Sequence, residues 1–228
     1  MEKTIALLIS CHIFADFAFQ TNNLSKQKHK PRFLLLHGFI HSVFAYFLLQ
    51  KWNCWQAPLF VILIHTGIDF MKMRSGKDGT RVFIIDQSIH VLSLIGLGWF
   101  LSRVYGYSFT GFSYTPIIFI AGFIATMQAS GILISKIARQ LVSDNKLELG
   151  GLINGGKLIG QLERTLIFLF VFIGQPAGIG FLVAAKSILR FQESKEHQKM
   201  AEYVLIGTLL SFSLAIAMAS ITKWAIEL

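Results

Sequence analysis

Residues 116–139 read PIIFIAGFIATMQASGILISKIAR, and the first charged side chain in that run is Lys136, after twenty uncharged residues. A helix that crosses a bilayer needs about 20 mostly apolar residues, so this stretch meets the requirement unaided. The rest of the chain agrees with it. Of 228 residues, 54% are hydrophobic and 14% charged, and the mean hydropathy is +0.58, whereas soluble domains are roughly 25% charged. A soluble domain, a disordered chain and a coiled coil are excluded together, because each needs more polar surface than this sequence carries.

Seven further apolar stretches are set off by polar or Gly/Pro punctuation. The reading is an all-α polytopic transmembrane helix bundle of about eight spans, at 3–20, 33–50, 57–73, 82–102, 116–139, 161–174, 176–190 and 202–222. The sixth and seventh are short, and Gly174, Gln175 and Pro176 alone divide them, so a re-entrant hairpin is the alternative there. The domain expectation is a four-helix membrane unit at 1–102 that carries a His/Asp site, and C-terminal membrane helices at 103–228 packed with it. Lys3 before the first apolar stretch suggests a signal peptide, but His12 and Asp16 interrupt that stretch. It is read as a helix of the mature chain.

The formal charge is +9. In a membrane protein this reflects orientation rather than a nucleic-acid partner, since Lys and Arg collect in cytoplasmic loops. Basic residues cluster after alternate spans: Lys26, Lys28, Lys30 and Arg32; Lys72, Arg74, Lys77 and Arg81; Lys136, Arg139, Lys146 and Lys157; Lys186, Arg190, Lys195 and Lys199. The other connections hold Lys51 and Arg103. The expected topology is a multi-pass protein of a bacterial inner membrane with both termini outside. Cys11 and Cys54 lack the spacing of a disulfide framework or a zinc motif.

Four pairs of polar residues interrupt the first four spans: His12 with Asp16, His37 with His41, His65 with Asp69, and Asp86 with His90. Each pair is four residues apart and so shares one helix face. A single pair of this kind is ordinarily a histidine satisfied by its neighbour inside the bundle. Four pairs at matched depth are not ordinary. With spans of alternating direction, Asp16, His37, Asp69 and Asp86 lie about 7 Å from the basic flank, and His12, His41, His65 and His90 about 6 Å deeper, at roughly 1.5 Å per residue. Five of the seven histidines are used. Because a charged Asp at a helix centre costs about 2.5–3.5 kcal/mol, such groups must face one another, a wet cavity or a metal. Imidazole with carboxylate suits a divalent ion, zinc first, with manganese and iron as alternatives.

The segments His12-Ile-Phe-Ala-Asp16, His37-Gly-Phe-Ile-His41-Ser42, His65-Thr-Gly-Ile-Asp69 and Asp86-Gln87-Ser88-Ile89-His90 resemble an uncharacterised bacterial family of polytopic membrane proteins known as a domain of unknown function. The resemblance covers about the first hundred residues. The His-Ser and His-x-x-x-Asp elements are also similar to motifs of bacterial membrane-bound metal-dependent hydrolases. That similarity implies metal-assisted hydrolysis, with support by analogy alone.

The expected activity is hydrolysis of an amphipathic lipid or lipid-linked substrate bearing a phosphate or ester, at the cytoplasmic face. A metal bound by imidazole and carboxylate lowers the pKa of its water toward 7, and Asp69 or Asp86 is the candidate general base. Gln20 and Gln87 are placed to hydrogen-bond ligands or substrate from outside. In the C-terminal part, Arg164, Lys186 and Arg190 are candidates to hold a lipid phosphate, against an ordinary reading as interfacial anchors and ion pairs. Residues 151–158, GLINGGKL, have the glycine and lysine spacing of a phosphate loop, but Leu158 stands where Ser or Thr must reach magnesium. They are read as a hinge.

Two rivals remain. A histidine-box oxidase would be richer in histidine and would include adjacent His-His, which is missing here. A metal-ion or proton transporter would need polarity through the full thickness, yet the outer halves of the four helices are apolar, as at Val43 to Leu49 and Val91 to Leu97.

Overall fold

The structure is a computed structural model that describes residues 1–21, 27–109, 111, 113–146, 155–191 and 198–228, with the side chains at 189–191 and 198 left aside. Lys26, Lys195, the Arg190 side chain and the 151–154 part of the glycine-rich run therefore lie outside the described residues. Among the described residues every regular element is helical. In chain order they are α1 (Glu2–Ile13) with a π turn (Phe14–Ala18), α2 (Pro31–Leu49), α3 (Gln56–Ser75), α4 (Thr80–Val104), α5 (Tyr114–Ile124) with a π turn (Ala125–Ala129), α6 (Ser130–Asn145), α7 (Gly155–Phe172), α8 (Pro176–Phe191) and α9 (Gln198–Glu227).

Each of the eight apolar stretches has a helical counterpart, α5, its π turn and α6 together forming the long helix Tyr114–Asn145. Four helices are long and apolar enough to cross a membrane: Pro31–Leu49, Thr80–Val104, Tyr114–Asn145 and Lys199–Glu227. The largest departures from the expected bounds, six residues each, are α6, which ends at Asn145 rather than 139, and α7, which starts at Gly155 rather than 161. Its first turn, Gly155, Gly156 and Lys157, carries no apolar signal, so counting apolar residues starts the helix too late.

Helix ends follow local chemistry. Pro31 opens α2, where its missing N–H costs nothing. Gly76 closes α3 in the left-handed conformation (φ 63°) and donates to the Met73 carbonyl, with Lys72 and Arg74 in the last turn against the negative end of the helix dipole. Gln50 terminates α2 at φ 54°, and the Tyr107 hydroxyl donates to the Leu49 carbonyl there. Burial, with Cys54 the lesser cause, pushes the Tyr107 phenol up, which keeps it a donor.

The chain divides into two compact units, residues 1–124 with 224–228, and residues 125–223. In the first, α1 packs against α2, α4 and α5, while α3 lies against α2 and α4. The inward stripes keep helical spacing: Leu34, His37, Gly38, His41, Ala45 and Leu49 on α2, and Ala57, Val61, His65 and Asp69 on α3. Each stripe is apolar at one end and polar toward the basic loops. The apolar ends meet in one core that includes Leu7, Leu8, Val61, Leu94, Leu97 and Leu101. Outward positions are apolar too: Leu63 is 60% exposed and Leu92 65%, a pattern suited to lipid rather than water. In the second unit α7 packs on α6, α8 and the second π turn.

Gly98 lets α1 approach α4. A Cβ there would lie 2.6 Å from Ile5 Cγ1 and 3.2 Å from Ile5 Cα, and backbone cannot move aside as a side chain can. Gly96, on the same helix, faces open space. Gly98→Ala is expected to destabilise by about 1–3 kcal/mol through overpacking, while Gly96→Ala gains about 0.5–1 kcal/mol from helix propensity. Thermal unfolding in detergent checks this: the melting temperature falls in the first variant and not in the second.

Candidate metal centre

Asp16 is the junction of the site. Its position on the π turn Phe14–Ala18 adds a residue to the helical repeat, and such turns re-aim side chains. Asp16 Oδ1 lies 2.9 Å from His37 Nε2, 3.1 Å from His41 Nε2 and 3.9 Å from His65 Nε2. The His37 and His41 Nε2 atoms are 3.2 Å apart. One ligand atom from each of Asp16, His37, His41 and His65 falls within 4.8 Å of the others.

A second set, His65, Asp69 and His90, meets the same condition. Asp69 Oδ2 is 3.6 Å from both His37 Nε2 and His65 Nε2, and Oδ1 is 3.8 Å from His90 Nε2. His65 belongs to both sets, and a single Nε2 lone pair serves one ion at a time. Asp69, with two oxygens directed to different histidines, is the group able to bridge.

The donor spacing matches what an ion requires. Four ligands at about 2.0–2.1 Å in a tetrahedron stand about 3.3–3.4 Å apart, and the Asp16 contacts bracket that value. The tautomer of His90 fits as well: its Nδ1–H donates to the Asp86 carbonyl at 2.9 Å, leaving Nε2 as a lone pair. The Nε2 atoms of His65 and His90 are buried and have no hydrogen-bond partner among the described residues. Buried polar atoms are nearly always satisfied, and these two nitrogens belong to groups that could hold a metal ion.

His12 and Asp86 are held differently from the other six. His12 Nε2 is 3.1 Å from Gln87 Oε1, which accepts from it, and 3.8 Å from Asp16 Oδ2. Its ring stacks on His90 at 5.1 Å between centroids, so it walls the deeper layer without joining either ligand set. Asp86 Oδ2 receives Lys72 Nζ at 2.7 Å, and Oδ1 is buried, 3.7 Å from His90 Nδ1, with no hydrogen bond among the described residues. Gln87 ties the carboxylates together, donating to Asp16 Oδ2 at 3.3 Å and Asp86 Oδ2 at 3.4 Å. Gln20 joins no described hydrogen bond of the centre: helical structure ends at Ala18, so Gln20 is not carried one turn further along the Asp16 face.

Residues outside the four pairs also take part. Lys28 Nζ binds Asp69 Oδ2 at 2.8 Å, and Cys11 Sγ donates to the His41 carbonyl at 3.1 Å. Lys72, three residues after Asp69 and thus on its face, carried a readable signal. Lys28, in a connection, carried none. Beneath the imidazoles is a cavity of about one water's size, walled on its far side by Val61, Ile64, Leu94 and Leu97.

In the second unit, Arg164 is buried and donates to the Met127 carbonyl at 3.1 Å, on the π turn, and to Ser211 Oγ at 3.3 Å. Lys186 pairs with Glu163 at 2.7 Å. Both bases are thus engaged within their own unit.

Residues 4–113 match the model of a family described as "Protein of unknown function (DUF3307)". That segment contains every His and Asp of the centre, in keeping with the resemblance seen in the first hundred residues. No curated protein and no solved structure matches the chain, so the hydrolase likeness has no named relative behind it.

Loss of a ligand should empty the centre while loss of its wall should not. His41→Ala and His65→Ala are expected to lower bound metal at least tenfold, and His12→Ala to retain most of it, as measured by mass spectrometry on folded, detergent-purified protein. Equal loss in His12→Ala would show that the ligand sets are wrongly drawn.

Proposed function

We propose that the family-matched N-terminal part is the metal-binding core of an integral inner-membrane hydrolase acting on an amphipathic, phosphate- or ester-bearing lipid at the cytoplasmic face. The observation that carries this is that two adjacent groups able to hold a metal share His65, with Asp69 Oδ2 of the second group 3.6 Å from His37 Nε2 of the first. Zinc is the proposed ion, since its short bonds to imidazole and carboxylate suit the tight spacing, with manganese or iron as alternatives. The proposed topology has eight crossings and both termini outside, supported by basic residues in alternate connections.

A bound divalent ion supplies an acidified water and a Lewis acid for the substrate oxygen. The chain's residues supply the rest. Asp86 Oδ1, buried, 3.7 Å from His90 Nδ1 and without a hydrogen bond among the described residues, has the free lone pair a general base needs. Asp69, in reach of three imidazoles, orients the centre. Gln87 holds Asp16 and Asp86 in register. The apolar core below excludes water and closes the site at one end, which speaks against a continuous transport path.

Metal-loaded protein is expected to hydrolyse a lipid phosphate or a carboxylic ester in mixed micelles, to lose that activity with a chelator and to regain it on metal addition. Asp69→Asn is expected to lower kcat at least a hundredfold. A metal-loaded, folded protein that cleaves neither substrate, yet moves ions across proteoliposomes, would replace hydrolysis with transport.

A further inference from the structure

The carboxylates of the metal centre are covered on the basic-loop side by two lysines. Lys28 sits on Asp69 and Lys72 on Asp86, at 2.8 Å and 2.7 Å. The carboxylates are 7% and 4% exposed, the lysine side chains 20% and 38%, so the ammonium groups stand between the buried acids and the outside.

With neutral imidazoles, Asp16, Asp69 and Asp86 against Lys28 and Lys72 leave the site one negative charge in excess. One divalent ion turns this into one positive charge in excess, and a second ion into three. Uncompensated charge in an apolar bundle is strongly unfavourable, so the loaded centre calls for an anion. The same event frees a donor: Asp69 Oδ2, which Lys28 holds, is the oxygen 3.6 Å from His37 and His65 Nε2. Once that oxygen turns to a cation, Lys28 loses its partner and is repelled by the ion. Lysine, a point charge on a flexible four-carbon stem, can swing to a new acceptor nearby.

We infer that Lys28 and Lys72 hold the anionic group of the substrate at the mouth of the metal centre, which makes that group a phosphate rather than a neutral ester. This rests on the metal-centre reading. The lysines occupy the carboxylates in the ion-free protein and clamp phosphate oxygens in the loaded one, a use for which ammonium groups are well suited. Charge balance calls for an anion, and phosphate meets it whether it comes as a lipid headgroup or as the free ion.

The test is titration calorimetry of the full chain in detergent, reconstituted with zinc, against inorganic phosphate and, separately, against micelles of a short-chain phosphatidic acid. Each of Lys28→Gln and Lys72→Gln is expected to weaken binding about tenfold, as for a lost charge-assisted hydrogen bond, with metal content unchanged. If Lys72→Gln fails to fold because Asp86 is left unpaired, Lys72→Gln with Asp86→Asn removes both charges and serves instead. Binding of both probes assigns recognition to the phosphate itself, and binding of phosphatidic acid alone assigns it to phosphate presented by a lipid. Full metal content with phosphate affinity unaltered in Lys28→Gln and in the Lys72 variant, or with no phosphate binding in the wild type, overturns the lysine clamp and leaves the metal centre standing. Absence of bound metal in folded wild-type protein overturns the metal reading, and the clamp with it.

Discussion

A single carboxylate oxygen, Asp16 Oδ1, faces three imidazole nitrogens between 2.9 and 3.9 Å away, at one end of an apolar core. The geometry of the first unit answers to that cluster. A charged Asp at a helix centre costs about 2.5–3.5 kcal/mol, and three of them are tolerated here only because imidazoles, two lysines and Gln87 surround them. Helices α1 to α4 must present their polar turns at one level for this to happen. A helix shifted by one turn, about 5.4 Å, would leave a carboxylate or a histidine in apolar surroundings without a partner.

The apolar core makes the complementary contribution. Leu7, Leu8, Val61, Leu94 and Leu97 fill the bundle below the imidazoles and leave a cavity of about one water's size. The polar groups lie between this core and the lysines Lys28 and Lys72, on the side of the basic loops.

Much of the fold is legible in the amino acids because hydrocarbon imposes simple rules: apolar runs about 20 residues long, punctuation between them, and helical structure throughout. The bounds of α2 to α4 follow closely from this. The start of α7 does not, since Gly155 to Lys157 are helical without being apolar. Within the site, the i, i+4 pairs place eight residues on helix faces, but they treat the eight as equivalent. They are not: His12 stacks and donates to Gln87, Asp86 pairs with Lys72, and the other six supply the two ligand sets.

Sequence by itself determined that the chain is helical, with helices apolar enough to cross a membrane, and that its first four helices carry four face-sharing His/Asp pairs, because helical periodicity and burial cost act locally and show in spacing alone. The tertiary structure decided which atoms meet. The π turn at Phe14–Ala18 carries Asp16, the sharing of His65 between two ligand sets depends on the approach of α1, α2, α3 and α4, and the partnership of Lys28 with Asp69 spans 41 residues. Contacts between distant segments leave no periodic mark in a sequence, since they depend on how the helices sit against one another and not on any one helix.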